Sequence, residues 1–399
     1  MSERKGFFIF DRNVTVSGFV SLFMDISSEM IYPLVPLFLA NVLGVNKSVI
    51  GLIEGIAEST AGMLRVFSGW FSDRIGNRKW LMVAGYGIST LSRPLLALAA
   101  GWHHVMGFRF IDRFGKGIRT APRDAIVAES TVKEYLGRAF GFQRAMDTVG
   151  AAIGPAIAFL LMGIFSEGYR VVFWLSMVPA AIAVFLIIFF IREGRRPVAN
   201  QSSIPKLSLS YFNLKFKAFI IIAAIFAAGN SSDVFLILRA QQEGISSATI
   251  PVVYLTFNVI YALTSVPAGV AADRFGRKKI ILIGFIMFAF IYYGFAIADG
   301  PKAIWGLFAF YGIFMGISEG VQKAYLASII SADYKATAFG LYNTAIGLAT
   351  FPASLIGGML WDRISPSATF YYGCLTASVS TFLFAIFILH EKTQGIKRA

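Results

Sequence analysis

One cysteine stands in 399 residues, Cys374, inside an apolar run. No disulfide can close within the chain, and a zinc centre of the cysteine type is excluded. Histidine is nearly as scarce, with three copies, and the adjacent His103 and His104 read as a surface turn rather than a metal site. Charge is thin as well. Only 15% of the residues are charged, against about 25% in soluble domains. Acids are the scarcer sign, 22 against 36 bases, which leaves a net charge of +14. Long hydrophilic segments are also missing. No Gly-x-x-x-x-Gly-Lys-Ser/Thr loop is present, so ATP is not expected to supply energy, and no cofactor is implied. No nucleophile, base and orienter come together in a soluble segment, so an enzyme is not expected.

What is there is apolar. Hydrophobic residues make up 56% of the chain, in runs such as 171–191 and 280–298. Runs of 18 or more such residues are membrane helices. Twelve spans are predicted, at 14–40, 48–71, 80–100, 103–127, 139–164, 169–191, 217–240, 248–271, 279–298, 302–330, 337–360 and 367–389. The chain is thus expected to be an all-α, polytopic membrane protein. The first apolar segment, some 26 residues from Val14, is too long for a signal-peptide core and reads as an uncleaved span.

The basic excess has a topological reading. With the N-terminus inside, the inner segments with their adjoining span ends hold 22 Lys/Arg and the outer loops with theirs hold four. Both termini are then expected in the cytoplasm, in a bacterial or archaeal cytoplasmic membrane. Bases confined to alternate short gaps argue against nucleic-acid binding. The segment 192–216, with Pro197, Pro205 and five bases, reads as a linker.

The chain is internally repeated. GWFSDRIGNRK at 69–79 matches GVAADRFGRKK at 269–279, and the block at 117–141 matches 316–340 without a gap. Ser27-Ser28-Glu29 answers Ser231-Ser232-Asp233. Three blocks in one order at nearly one offset indicate a duplicated six-helix unit. The predicted bodies are 1–191, the linker 192–216, and 217–399. The repeat also decides how to read MGFRFIDRFGKGIRTAPRDAIVA at 106–128. It looks like a basic loop, yet it takes the place of 305–327, which is plainly a membrane helix.

These motifs resemble those of the major facilitator superfamily. The family's loop signature, Gly-x-x-x-Asp-Arg-x-Gly-x-Lys/Arg, is matched by Gly69, Asp73, Arg74, Gly76 and Arg78, and again by Gly269, Asp273, Arg274, Gly276 and Arg277. Its fourth-helix arginine is matched by Arg109, followed by Gly115 and Gly117. Many exporters carry in helix five the spacing seen in Gly141, Gly150, Gly154 and Pro155. The resemblance implies twelve transmembrane helices in two pseudo-symmetric six-helix bundles, working by alternating access as a monomer. The signature glycines let two helices end close together in a tight inner turn, where Asp73 can face a helix N-terminus or a basic partner from the other half; the reading is an inner latch, and the alternative is plain topology and turn chemistry.

Membrane energetics then sort the charges. Arg109, Asp112, Arg113, Lys116, Arg119 and Arg123 follow helical steps and share a face, opposite Phe108, Phe110, Ile111, Phe114 and Ile118. A charge at mid-bilayer costs about 2.5–3.5 kcal/mol on the gentlest scale, so the charged face must look into protein or water. Nine acids in the spans stand against ten bases. Asp25, Glu29, Glu54, Glu58, Asp147 and Asp233 are candidates for proton coupling. A carboxylate out of water favours its neutral form, and a nearby base reverses that. Arg109, Arg113, Lys116, Arg119, Tyr32, Tyr254, Asn258, Glu319, Lys323 and Asn343 are candidates to bind substrate. Gly115 and Gly117 read as close-packing points between helices.

The expected function is secondary active transport of a small molecule, by proton-coupled export in antiport. The alternative is proton-coupled uptake of an organic anion held by Arg113, Lys116 and Arg119. A non-transporting receptor or scaffold on the same fold is the remote alternative.

Overall fold

The computed structural model describes residues 11–396 apart from 76, 133–134, 166–167, 193–211 and 331–334, with backbone alone at 65–66, 69–75, 136–137, 327, 335–337 and 392–396. The described residues are helical, and no strand occurs among them. Twelve spans follow in chain order: α1 Arg12–Val42, α2 Lys47–Ile75, α3 Arg78–Ala97, α4 Trp102–Glu129, α5 Leu136–Ile164 and α6 Tyr169–Phe190. After the linker come α7 Leu214–Gln242, α8 Ile250–Phe275, α9 Arg277–Ile297, α10 Pro301–Ser328, α11 Lys335–Arg363 and α12 Pro366–Ile396. Each lies within a few residues of its predicted span. Among the described residues, nine helices are long and apolar enough to cross a membrane; α4, with seven charged side chains between 109 and 124, is not one of them. It is nevertheless one continuous helix through Pro122.

Local chemistry sets the ends. Asn77 caps α3 by accepting from the Trp80 amide at 3.3 Å, and Asn213 caps α7 through the Phe216 amide at 2.9 Å. Gly276, at φ +97°, is the whole connection between α8 and α9. That left-handed conformation is one glycine takes without strain. The first helix of each duplicated unit is interrupted. α1 breaks between Ile31 and Val35, and α7 between Gly229 and Val234.

Packing divides the described chain into two compact units. One holds 1–31, 64–98 and 110–204; the other holds 32–63, 99–109 and 205–399. The division does not follow the duplication, because α1, α2 and α4 each contribute to both units. Most of the predicted linker, 193–211, lies outside the described residues.

The first unit's core joins Val20 and Met24 of α1, Met82 and Tyr86 of α3, Ile126 of α4, and Ala180, Ala183 and Ile187 of α6. Glycines bring backbones together there. A Cβ on Gly115 would lie 2.6 Å from the Gly85 carbonyl, and one on Gly117 would lie 2.5 Å from the Leu64 Cβ. The second unit's core is aromatic, with Phe226 stacked on Phe285 at 4.3 Å and Phe288 on Tyr292 at 4.0 Å. Large apolar side chains also cover the outside: Phe290 is 72% exposed and Val266 75%. In lipid such surface needs no burial, so close packing and polar contacts must hold the helices together.

Candidate functional site

In the first unit, α4 presents its charges inward. Arg113 and Arg119 are buried with Asp112, whereas Phe110, Ile111 and Phe114 face outward. Arg93 of α3, 1% exposed, reaches Asp112 Oδ1 at 3.3 Å and donates to Ser28 Oγ of α1 at 3.0 Å. The sequence reading passed over Arg93. Its signal was available, since it is the one charged residue in the run 80–100. The Arg119 guanidinium sits over the Tyr86 ring at 4.5 Å. Arg123 bonds Asp124 at 3.0 Å and Ser21 of α1 at 3.1 Å.

The acids of α1 sit where α5 comes closest. A Cβ on Gly150 would lie 2.9 Å from the Asp25 Cβ, and one on Gly154 would lie 2.8 Å from the Glu29 Cβ. The helix-five glycines are thus a seat for α1. Gly141 differs, with open space where a Cβ would stand, and Pro155 is buried beside Gly154. Asp25 lies within Coulombic reach of Asp147 on α5 and of Lys116, Arg119 and Arg123 on α4. Asp147 Oδ1 is buried and accepts no hydrogen bond among the described residues.

In the second unit, Glu54 and Arg109 meet. They are 1% and 4% exposed, the Arg109 Nε lies 3.0 Å from Glu54 Oε1, and a second nitrogen bonds the other carboxylate oxygen. One proton-coupling candidate and one substrate-binding candidate therefore form a two-pronged ion pair. The Arg109 guanidinium also lies 5.9 Å from the centre of the Tyr32 ring, which packs on Tyr254 at 5.3 Å. Asn258 is buried one turn beyond Tyr254. Asp233, at the break in α7, accepts from Tyr311 Oη at 2.6 Å and lies within Coulombic reach of Glu58 and Glu54. Tyr311 was not legible among the aromatics of α10. Glu319 binds Lys323 at 2.7 Å and accepts from the Tyr261 hydroxyl. Asn343 is partly buried on α11 beside Tyr342, whose hydroxyl donates to Gln322 at 2.8 Å.

The loop signatures divide. Gly76 lies outside the described residues; Gly69, Asp73 and Arg74 fall on the last turns of α2, where only backbone is described. Arg78 pairs with Glu129 at the end of α4. In the second copy, the matching aspartate is Asp273. It pairs with Arg277, four residues on, at 3.0 Å. The one-residue turn at Gly276 starts α9 at once and brings Arg277 alongside. Arg277 also donates to the Ala324 carbonyl at 3.3 Å, Arg274 leans on Phe275, and Gly269 faces open space. No cluster of metal-ligating side chains is found among the described residues.

Comparison with known proteins agrees with this architecture. The Major Facilitator Superfamily matches residues 17–238 and 218–398. A protein of Methanocaldococcus jannaschii described as an uncharacterized MFS-type transporter is 38% identical over 378 residues, covering 93% of this chain and 94% of its own. A multi-drug resistance efflux pump PmrA homolog of Lactococcus lactis is 24% identical over 389 residues, covering 94% and 92%. Among solved structures, a POT family transporter in complex with 5-aminolevulinic acid superposes with a TM-score of 0.82 at 12% identity, covering 97% of both chains. The nucleoside transporter NupG does so with 0.77 at 15%, covering 94% and 98%. At such identities the structures speak for the fold alone. The chain is a membrane-spanning transporter rather than an enzyme, and it belongs to the major facilitator superfamily.

Proposed function

We propose that the protein exports a small molecule in exchange for protons. The observation that carries this reading is the α1–α5 seam. Asp25 stands there against Gly150, with Asp147 one turn away on α5 and three α4 cations within Coulombic reach. Whether such carboxylates hold a proton depends on which cations they face. A rocking motion that changes their distance to Lys116, Arg119 and Arg123 would therefore bind or release a proton. A relative named as a multi-drug efflux pump supports the direction. The two predicted bodies, 1–191 and 217–399, would be the rocking parts, with both termini cytoplasmic. The test uses proteoliposomes and a panel of amphipathic drugs and dyes. Asp25→Asn or Glu29→Gln should abolish flux driven by a pH gradient while the purified protein keeps its melting temperature. Full gradient-driven flux in both variants would sink the assignment.

Uptake of an organic anion is the second reading, supported by two deeply buried cations in α4, Arg113 at 7% exposure and Arg119 at 6%. Thermal stabilisation by a carboxylate or phosphate compound, lost in Lys116→Ala, would favour it over export.

A further inference from the structure

The sequence around 358 repeats the first half of the loop signature, with Ser365 in place of its second glycine and Ser367 in place of its last base. Gly358, Asp362, Arg363 and Ile364 stand at the spacing of Gly69, Asp73, Arg74 and Ile75. The earlier copies close α2 and α8; this one closes α11. Its aspartate is engaged. The Asp362 carboxylate accepts from the Lys47 amide at 3.1 Å, from the Ser48 amide at 2.7 Å and from the Ser48 hydroxyl at 2.7 Å. Those two amides open α2, and helix-opening amides lack partners within their own helix. The Asn46 side chain serves the next amide, Val49, at 3.1 Å. A carboxylate from the far end of the chain therefore completes the cap of α2, where the helix dipole also favours negative charge.

A run of small residues leads to this contact. A Cβ on Gly358 would lie 2.3 Å from the Lys47 carbonyl, and one on Gly51 would lie 2.2 Å from the Ser354 carbonyl. Ser59 donates to the Gly347 carbonyl at 2.7 Å, and Gly62 lies against Gly347. The seam between α2 and α11 is thus backbone on backbone over four turns, with Asp362 at its open end.

We propose that Asp362 is a latch that holds this seam shut, and that the seam opens during the transport cycle when the carboxylate leaves the α2 amides. Asp362 is a positioning residue that acts through α2 and touches no substrate. The hydrogen bonds it makes are lost whenever α2 and α11 part, so it weights the closed state against the open one. The inference rests on alternating access, and on neither the direction of transport nor the coupling ion.

The test places nitroxides at Asn41→Cys and Ser247→Cys in a Cys374→Ser background. The Asn41 side chain, six residues before Lys47, lies 3.5 Å from that of Ser247, between α7 and α8. Continuous-wave line broadening in lipid nanodiscs then reads the closed, contact-distance population, and double electron–electron resonance reads the open one, without any substrate. Asp362→Ala should raise the longer-distance population several-fold. Asp362→Asn keeps one acceptor and should raise it less. Gly358→Ala should raise it too, by wedging Lys47. Arg363→Ala, one residue away, should leave the distribution as in the parent. Identical distributions in the parent, Asp362→Ala and Asp362→Asn would overturn the proposal, as would an equal shift in Arg363→Ala. If Asp362→Ala does not fold, Asp362→Asn and Ser48→Ala carry the same decision. A seam that opens in these variants while Asp25→Asn keeps gradient-driven flux would refute the proton-coupling reading and leave the latch standing.

Discussion

Arg109 and Arg93 are buried cations within the spans, and each stands against an acid. A charge stranded at mid-bilayer costs about 2.5–3.5 kcal/mol on the gentlest scale. Glu54 answers Arg109 with two prongs, and Asp112 answers Arg93. Removing one partner leaves the other buried and uncompensated. Arg109→Ala should therefore lower stability by about 3–5 kcal/mol. Arg109→Lys should recover only part of that, because an ammonium cannot span both carboxylate oxygens. Thermal unfolding in detergent, followed by tryptophan fluorescence, checks both. At this scale the sequence was half legible. Nine acids against ten bases implied pairing, and the amphipathic step of 109–123 told which face turned inward. Which acid met which base was hidden, because that depends on how far each helix is rotated about its own axis. Arg93 stands out as a lone charge in an apolar run and Tyr311 does not stand out among its aromatic neighbours, but the partner of each appears only when the neighbouring helix is in place.

Among helices, glycines decide how near two backbones come. Gly150 and Gly154 lie against α1, and Gly141, in the same motif, faces open space. Gly154→Val should thus force α1 and α5 apart and cost about 1–3 kcal/mol by overpacking, while Gly141→Val should be nearly neutral. Parallel melting curves for the two variants test that asymmetry. Gly276 works differently, through its positive φ. Gly276→Ala should cost about 1–2 kcal/mol of backbone strain, and should loosen the Asp273–Arg277 pair that the turn creates. Chemical unfolding of this variant beside Gly269→Ala, which faces open space, separates strain from packing. The motif spacings pointed to these glycines. They could not say that one member of the helix-five pattern is idle, because the space beside a glycine belongs to another helix.

Across the described molecule, large apolar side chains face outward as well as inward. Phe290, midway along α9, is 72% exposed, and Phe288 two residues before it is fully buried. Phe290→Lys should cost about 2.5–3.5 kcal/mol of membrane insertion near mid-bilayer, whereas Phe290→Leu should be silent. An insertion assay on α9 with its native flanks measures the difference. Membrane class, the twelve spans and the duplicated motifs were all determined by the sequence alone. Length and hydropathy are sums over local residues, and the repeat is a matter of spacing. The tertiary structure alone decided that Glu54 belongs to Arg109, that Asp273 turns to its own Arg277, and that Asp362 caps a helix more than 300 residues away. Those are choices among partners of similar chemistry, and they are settled by helix rotation and by how closely glycine lets two backbones approach.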